Sequence, residues 1–180
     1  MILIISVCSD MLSQLEFVKP VEDILRRIKV DFFTTHYMKL NHRDLETAEK
    51  IIICGTALKD FRYLENIDEF GWIHEFHRPV LGICAGMQIL AKVFGSSLIE
   101  NVRVGQSKVK TVRKNALTSK TDFYSYFLNS KTAALSNKFE VLSESGRLPC
   151  IIKQNDRDFY GCLFHPEVLN PGIIESFAKT

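Results

Sequence analysis

The sequence predicts an α/β domain: a mostly parallel central sheet with helices on both faces and an antiparallel extension. Three observations lead there. Short apolar runs alternate with stretches of helical spacing through the first half of the chain. At Cys84 the apolar pattern switches from a strand run, Val80-Leu81-Gly82-Ile83, to the helical spacing of Ile89, Leu90, Val93 and Phe94. The middle of the chain, by contrast, holds strand-like runs with no helix between them long enough to cross a sheet.

Residues 2–7 read as a first strand; they are apolar, lack a basic leader and soon meet Asp10, which suits a strand better than a signal peptide. Val21, Ile24, Leu25 and Ile28 recur at helical spacing, with Pro20 in a first turn that does not need its N–H. Residues 30–35 predict a second strand and the isoleucine-rich 49–54 a third, buried on both faces. A helix is expected over 61–76, followed by the strand that ends at Cys84. Residues 97–101, 107–113, 122–128, 139–143 and 150–153 read as strands of the extension, and 159–164 as another apolar strand. Asn170 is expected to cap a last short helix, with Pro171 in its first turn and Ile173, Ile174 and Phe177 on its inner face. No repeat, linker or low-complexity tract interrupts the chain, so 1–180 reads as a single domain.

The composition is that of a globular protein, and a formal net charge of +2 is too small to point to nucleic acid. No run is long enough to span a membrane. The five cysteines, Cys8, Cys54, Cys84, Cys150 and Cys162, are odd in number and form no CxxC pair. They suggest reduced core thiols and a cytoplasmic setting. His74 and His77 lie three apart without a third ligand nearby, so no metal or other cofactor is expected.

Two stretches carry chemistry. In Gly82-Ile83-Cys84-Ala85-Gly86 the cysteine sits where a strand turns sharply into a helix, between glycines that let the backbone fold tightly. The helix start behind it supplies partial positive charge and free N–H groups, which favour a thiolate. In Phe164-His165-Pro166-Glu167 a strand ends in a histidine with a carboxylate two residues on. Proline keeps His165 out of the helical region, and an extended tripeptide would point Glu167 and His165 the same way. Together they form a nucleophilic triad in the order Cys84, His165, Glu167.

Gly82-x-Cys84-x-Gly86-x-Gln88 followed by Phe164-His165-Pro166-Glu167 resembles the class I (triad) glutamine amidotransferases. The resemblance implies a flavodoxin-like fold and hydrolysis of the glutamine side-chain amide. Cys84 would be the nucleophile, His165 the acid/base and Glu167 its orienting partner. A tetrahedral oxyanion needs aimed donors; the Ala85 N–H, next to the nucleophile, is one. The second is placed in Cys54-Gly55-Thr56, from Gly55 or Thr56. Relatives carry a Gly-Gly-Pro-type loop there, and without the second glycine and the proline this donor is expected to be misaligned until a partner settles it. In the family the glutamine at the position of Gln88 contacts the substrate. The segment holding the substrate's amino-acid end falls on Leu128-Asn129-Ser130-Lys131, so that Asn129 and Ser130 would bind substrate; Tyr124-Ser125-Tyr126 is a competing register.

These readings give a glutaminase that delivers ammonia to a separate synthetase, with GMP synthetase the preferred acceptor system. The alternatives are a hydrolase of another γ-glutamyl compound and a weakly active protein with a regulatory or interaction role.

Overall fold

The computed structural model describes residues 1–180. The strands are β1 (Ile2–Ser6), β2 (Phe32–His36), β3 (Lys50–Ile53), β4 (Val80–Ile83), β5 (Ser97–Thr111), β6 (Asp122–Ala134), β7 (Phe139–Ser145), β8 (Leu148–Gln154) and β9 (Phe159–Cys162). They form one sheet in the order β2-β1-β3-β4-β9-β8-β7-β5-β6. The first five of that order run parallel, and every later pairing is antiparallel. β1, β4 and β9 are buried along their whole length, as apolar strands covered on both faces must be. The helices are α1 (Met11–Phe17), α2 (Lys19–Arg27), α3 (His42–Thr47), α4 (Arg62–Glu65), α5 (Ala85–Val93), α6 (Pro166–Leu169) and α7 (Pro171–Lys179). None is long and apolar enough to cross a membrane.

Several elements differ from expectation. The single helix expected over 61–76 is α4 followed by a 3₁₀ segment, Ile67–His74. Its apolar residues explain the change: Phe61, Leu64, Ile67, Phe70, Ile73 and Phe76 recur every third residue. That period keeps one face inward in a three-residue turn and drifts around an α-helix. The two strands expected at 97–101 and 107–113 are one strand, β5. The apparent gap contains a register shift between Glu100 and Arg103 and Gly105 at φ 105°, yet β6 pairs with both sides of it. α1 was not anticipated, because Met11, Leu12 and Leu15 are exposed and leave no inward apolar stripe; its readable signal is Asp10, which accepts from the Leu12 N–H. Asn170 does precede α7, but its side chain donates to Tyr124 O at 2.9 Å and Ser125 Oγ at 3.2 Å and does not cap the helix. His74 and His77 are both exposed.

The tightest packing is at the β4–α5 turn. A Cβ on Gly82 would lie 2.4 Å from the Gly86 carbonyl carbon, and one on Gly86 would lie 2.3 Å from Ile53 O. Both contacts are to backbone, so neither neighbour can swing away. Gly82→Ala and Gly86→Ala should each lower stability by at least the ~1–3 kcal/mol of an overpacked core, read as a lower urea midpoint. Gly172→Ala, whose Cβ would meet nothing within 4 Å, should be neutral or slightly stabilising. A wild-type midpoint for Gly86→Ala would show that α5 does not need this approach to β3.

Candidate active site

Cys84 links β4 to α5 with φ 49° and ψ −97°, one of two non-glycine residues at positive φ. Its N–H donates to Cys162 O at 2.7 Å, which ties the turn to the neighbouring β9. The side chain is buried, and Sγ lies 3.5 Å from Leu128 O on β6.

His165 follows β9 by way of the fully buried Leu163 and Phe164. It is extended (φ −100°, ψ 91°), as a residue before proline should be, and its N–H donates to Tyr126 O at 2.8 Å. The expected extended tripeptide does not continue. Pro166 opens α6, where a first-turn proline loses no hydrogen bond, and Glu167 lies in that first turn. Glu167 reaches the imidazole all the same: Nδ1 and Oε1 are 2.7 Å apart, with both side chains about fully buried. Phe17 of α1 covers the ring at 5.4 Å between centroids.

Burial alone would push the His165 pKa down. The charges of Cys84 and Glu167 on either side of the ring outweigh it and hold the imidazolium well above its ordinary range. The remaining ring nitrogen, Nε2, is buried without a conventional hydrogen-bond partner, as is Glu167 Oε2. Cys84 and His165 both border Gly55, so the thiol and the imidazole share one small region in which a proton can pass between them.

The loop after β3 closes the site from the other side. A Cβ on Gly55 would sit 2.7 Å from His165 Cε1 and 3.4 Å from Cys84 Cβ, so glycine is required here by the imidazole. Gly55 O accepts from Cys8 Sγ at 3.7 Å. Cys8 follows β1, and β1 and β4 flank β3 on opposite sides. With every peptide trans, the C=O and N–H of the Gly55–Thr56 peptide point opposite ways. The Thr56 N–H therefore points toward the β4 side, where Cys84 sits, and it has no acceptor within the chain. The Cys8 contact restrains this peptide although the loop lacks the second glycine and the proline. The Ala85 N–H, at the first helical position, has no acceptor in its own helix.

Of the two registers for the β6 segment, 128–131 is the one beside Cys84. Leu128 O meets the thiol, and Lys131 O accepts from Gln88 Nε2 at 3.0 Å. Tyr126 pairs with the His165 backbone instead, and Ser125 receives Asn170. Ser130 Oγ reaches Leu58 O at 3.2 Å, while Asn129 Nδ2 turns to Asn101 O at 2.9 Å. Gln88 lines the cleft, but Tyr63 OH holds its Oε1 at 2.5 Å, so both ends of its amide already have protein partners. Tyr63 carries no motif in the sequence, where it stands between Arg62 and Leu64 of an expected helix. The cleft bounded by Thr56, Leu58, Tyr63, Cys84, Gln88 and Ser130 holds only about 10 Å³, no more than one water.

The family model "Glutamine amidotransferase class-I" matches residues 16–171. The chain is 30% identical over 173 residues to a GMP synthase (glutamine-hydrolysing) of Campylobacter hominis, covering 87% of this chain and 33% of that protein. It therefore spans about a third of that relative's length. It is 30% identical over 136 residues to a GMP synthase (glutamine-hydrolysing) subunit of Pyrococcus furiosus, covering 69% of this chain and 71% of that one. Among solved structures, a Thermoplasma acidophilum chain described as a GMP synthase subunit superposes with a TM-score of 0.86 at 20% identity, over 99% of this chain and 93% of that chain. The elbow cysteine, the buried histidine–carboxylate pair and the sheet that carries them thus belong to a chain of the class I glutamine amidotransferase family.

Proposed function

We propose that this chain hydrolyses the side-chain amide of glutamine through a γ-glutamyl thioester on Cys84 and passes the ammonia to a synthetase of the GMP-synthase kind. The observation that carries the reading is the His165–Glu167 pair at 2.7 Å, buried beside a cysteine on a strained strand–helix turn. Glutamine hydrolysis is what membership of the family implies, and the geometry supports a distinct role for each residue.

His165 takes the proton of the Cys84 thiol, and the sulfur attacks the amide carbon. Negative charge moves to the amide oxygen, toward the Ala85 and Thr56 N–H groups. As the C–N bond breaks, His165 returns the proton to the departing ammonia. It then removes a proton from water, which attacks the thioester, releasing glutamate and restoring the thiol. Glu167 stays ionised throughout and holds the ring by Nδ1. Gln88 acts as a strut of the cleft wall, and Asn129 and Ser130 border the substrate's amino-acid end. The curated relatives named as GMP synthase support that acceptor system. A match to the HisH subunit of imidazole glycerol phosphate synthase from Idiomarina loihiensis, at 28% identity, keeps a second synthetase in the test.

A glutamine side chain does not fit a cleft of about 10 Å³. The Leu58 loop must part from Ser130 before substrate enters, and contact with the synthetase favours the open state. This adds a point of control at the cleft to the one expected at the donor loop.

Cys84→Ala should cut ammonia release from glutamine by more than about a thousandfold and abolish labelling by glutamine-like electrophiles; equal labelling of variant and parent would remove Cys84 from the mechanism. Glu167→Gln should slow turnover by less, roughly a hundredfold. It should also lower the His165 pKa, because the carboxylate that stabilises the imidazolium is gone. Histidine titration by NMR reads this shift, and a full-rate Glu167→Gln enzyme would reduce the carboxylate to a helix-end residue. Glutamine hydrolysis measured with and without a GMP-synthase or imidazole-glycerol-phosphate-synthase partner and its nucleotide should rise about tenfold or more with the right one, within the usual range of allosteric coupling. A fast rate that no synthetase alters, or a preference for γ-glutamyl peptides, would favour a stand-alone γ-glutamyl hydrolase.

A further inference from the structure

Asp60 belongs to neither the elbow nor the histidine motif, yet it is the most heavily hydrogen-bonded carboxylate near the site. Oδ2 accepts from the Ser9 N–H at 2.8 Å and from Thr56 Oγ1 at 2.7 Å. Oδ1 accepts from Ser9 Oγ at 2.6 Å and from the Arg62 N–H at 3.4 Å. These donors come from three places: the turn after β1, the loop after β3 and the start of α4. Burial would raise the Asp60 pKa, but the Ser9 and Thr56 bonds outweigh it and hold the carboxylate below its usual range. It is therefore charged at neutral pH, and charge-assisted bonds are the stronger kind.

We propose that Asp60 is a positioning residue for the reaction: anchored on Ser9, its carboxylate holds Thr56 so that the Thr56 N–H stays aimed beside Cys84. The proposal rests on the glutaminase reading and adds a residue to it. The Gly55–Thr56 peptide is held at two points. Cys8 Sγ fixes the Gly55 carbonyl, and Asp60 fixes the Thr56 side chain. With both points held, the plane of the peptide cannot rotate, and rotation is the motion that would turn the N–H away from the oxyanion. The Cys8 contact, a long thiol bond, is the weaker of the two. Asp60 thus sets the orientation. Because its other partners are the Ser9 N–H and hydroxyl, the β1 turn is part of the same clamp.

An asparagine at 60 offers one acceptor oxygen, so its NH2 must face either the Ser9 N–H and Thr56 or the Ser9 hydroxyl and the Arg62 N–H. The test measures kcat and KM for glutamine hydrolysis alongside alkylation of Cys84 by iodoacetamide. In that alkylation the sulfur bonds to carbon as iodide leaves and no oxyanion forms, so it reports the thiol and His165 but not the donor. A correctly aimed donor contributes about a hundredfold to a thousandfold in rate. Asp60→Asn and Thr56→Val should therefore lose about tenfold to a hundredfold in kcat, with KM within about twofold and alkylation unchanged. Thr56→Ser, which keeps the hydroxyl, should recover most of the kcat that Thr56→Val loses. Parent kcat in both Asp60→Asn and Thr56→Val overturns the proposal. So does a joint fall of kcat, alkylation rate and thermal midpoint, which would mean that Asp60 only holds the fold. Dependence of the parent's turnover on Cys84 is checked in the same assay. If it holds, the glutaminase reading stands whichever way Asp60 falls; if Cys84→Ala turns over glutamine like the parent, that reading fails on its own evidence.

Discussion

The site depends on one strained residue. Cys84 occupies φ 49°, a region that costs a non-glycine side chain on the order of 1–3 kcal/mol and persists only where the surroundings over-determine it. Here they do. The Cys84 N–H is held by Cys162 O at 2.7 Å, and its carbonyl accepts from the Gln88 N–H at 3.1 Å. Gly82 and Gly86 let α5 press against β4 and β3 with no side chain between them. The strain lifts the sulfur out of the line of the strand. A relaxed turn would leave Cys84 in the sheet, where Cys54 and Cys162 are.

The cysteines away from the elbow are core thiols. Cys54 and Cys162 are fully buried at the ends of β3 and β9, the two strands that flank β4, and burial pushes both thiols up out of the range in which a thiolate forms. Cys150, one strand further along, is pushed up to about 12. The order β1-β3-β4-β9 then sets the site out as a row: the Cys8 turn, the Gly55–Thr56 loop, Cys84 and the His165 segment, all at the carboxyl ends of parallel strands. Each member of the row contacts the next. Cys8 touches Gly55, Gly55 lies against His165 and Cys84, and β6 crosses above with the carbonyls of Tyr126 and Leu128.

The sequence showed clearly whatever was written in periodicity or in a motif tied to a turn. The parallel strands, the antiparallel extension, the elbow and the His165–Glu167 pair were all legible because each depends on neighbours in the chain. What was not legible depends on neighbours in space. The 61–76 segment looks α-helical until its strict three-residue spacing is set against the face it must bury. Nothing local in 102–106 reveals that β6 bridges the gap in β5. The tripeptide at Pro166 could extend or begin a helix, and only the helix lets Glu167 lie buried under His165. The same holds for the donor loop. Loss of a Gly-Gly-Pro pattern suggested a loose peptide, and the residues that restrain it, Cys8 and Asp60, are distant in sequence or carry no motif.

The closed cleft follows from the same connectivity. Ser130 reaches Leu58, Gln88 joins Tyr63 to Lys131, and Lys131 pairs with Glu100 while lying 5.0 Å from the Phe61 ring. The residues after β3 and those of β6 are thus joined across the cysteine by a few bonds, some of them exposed. Each such hydrogen bond contributes roughly 0.5–1.5 kcal/mol net, and an exposed ion pair contributes less. Opening the Leu58–Ser130 side need break only the first contact and shift the second, so the closed state is favoured by a small margin. A ligand or partner shifts such an equilibrium only by its differential affinity for the two states. A margin of this size lies within the ~1–3 kcal/mol typical of coupling between sites. Asp60 lies two residues beyond Leu58 and lines the same cleft as Ser130, while its carboxylate is held by Ser9 and Thr56. On the proposed reading, parting Leu58 from Ser130 breaks neither the Cys8 contact to Gly55 nor the Asp60 contact to Thr56. Under that proposal, substrate entry and donor aim would rest on different contacts of one short segment, so the cleft could open without losing the geometry it opens onto.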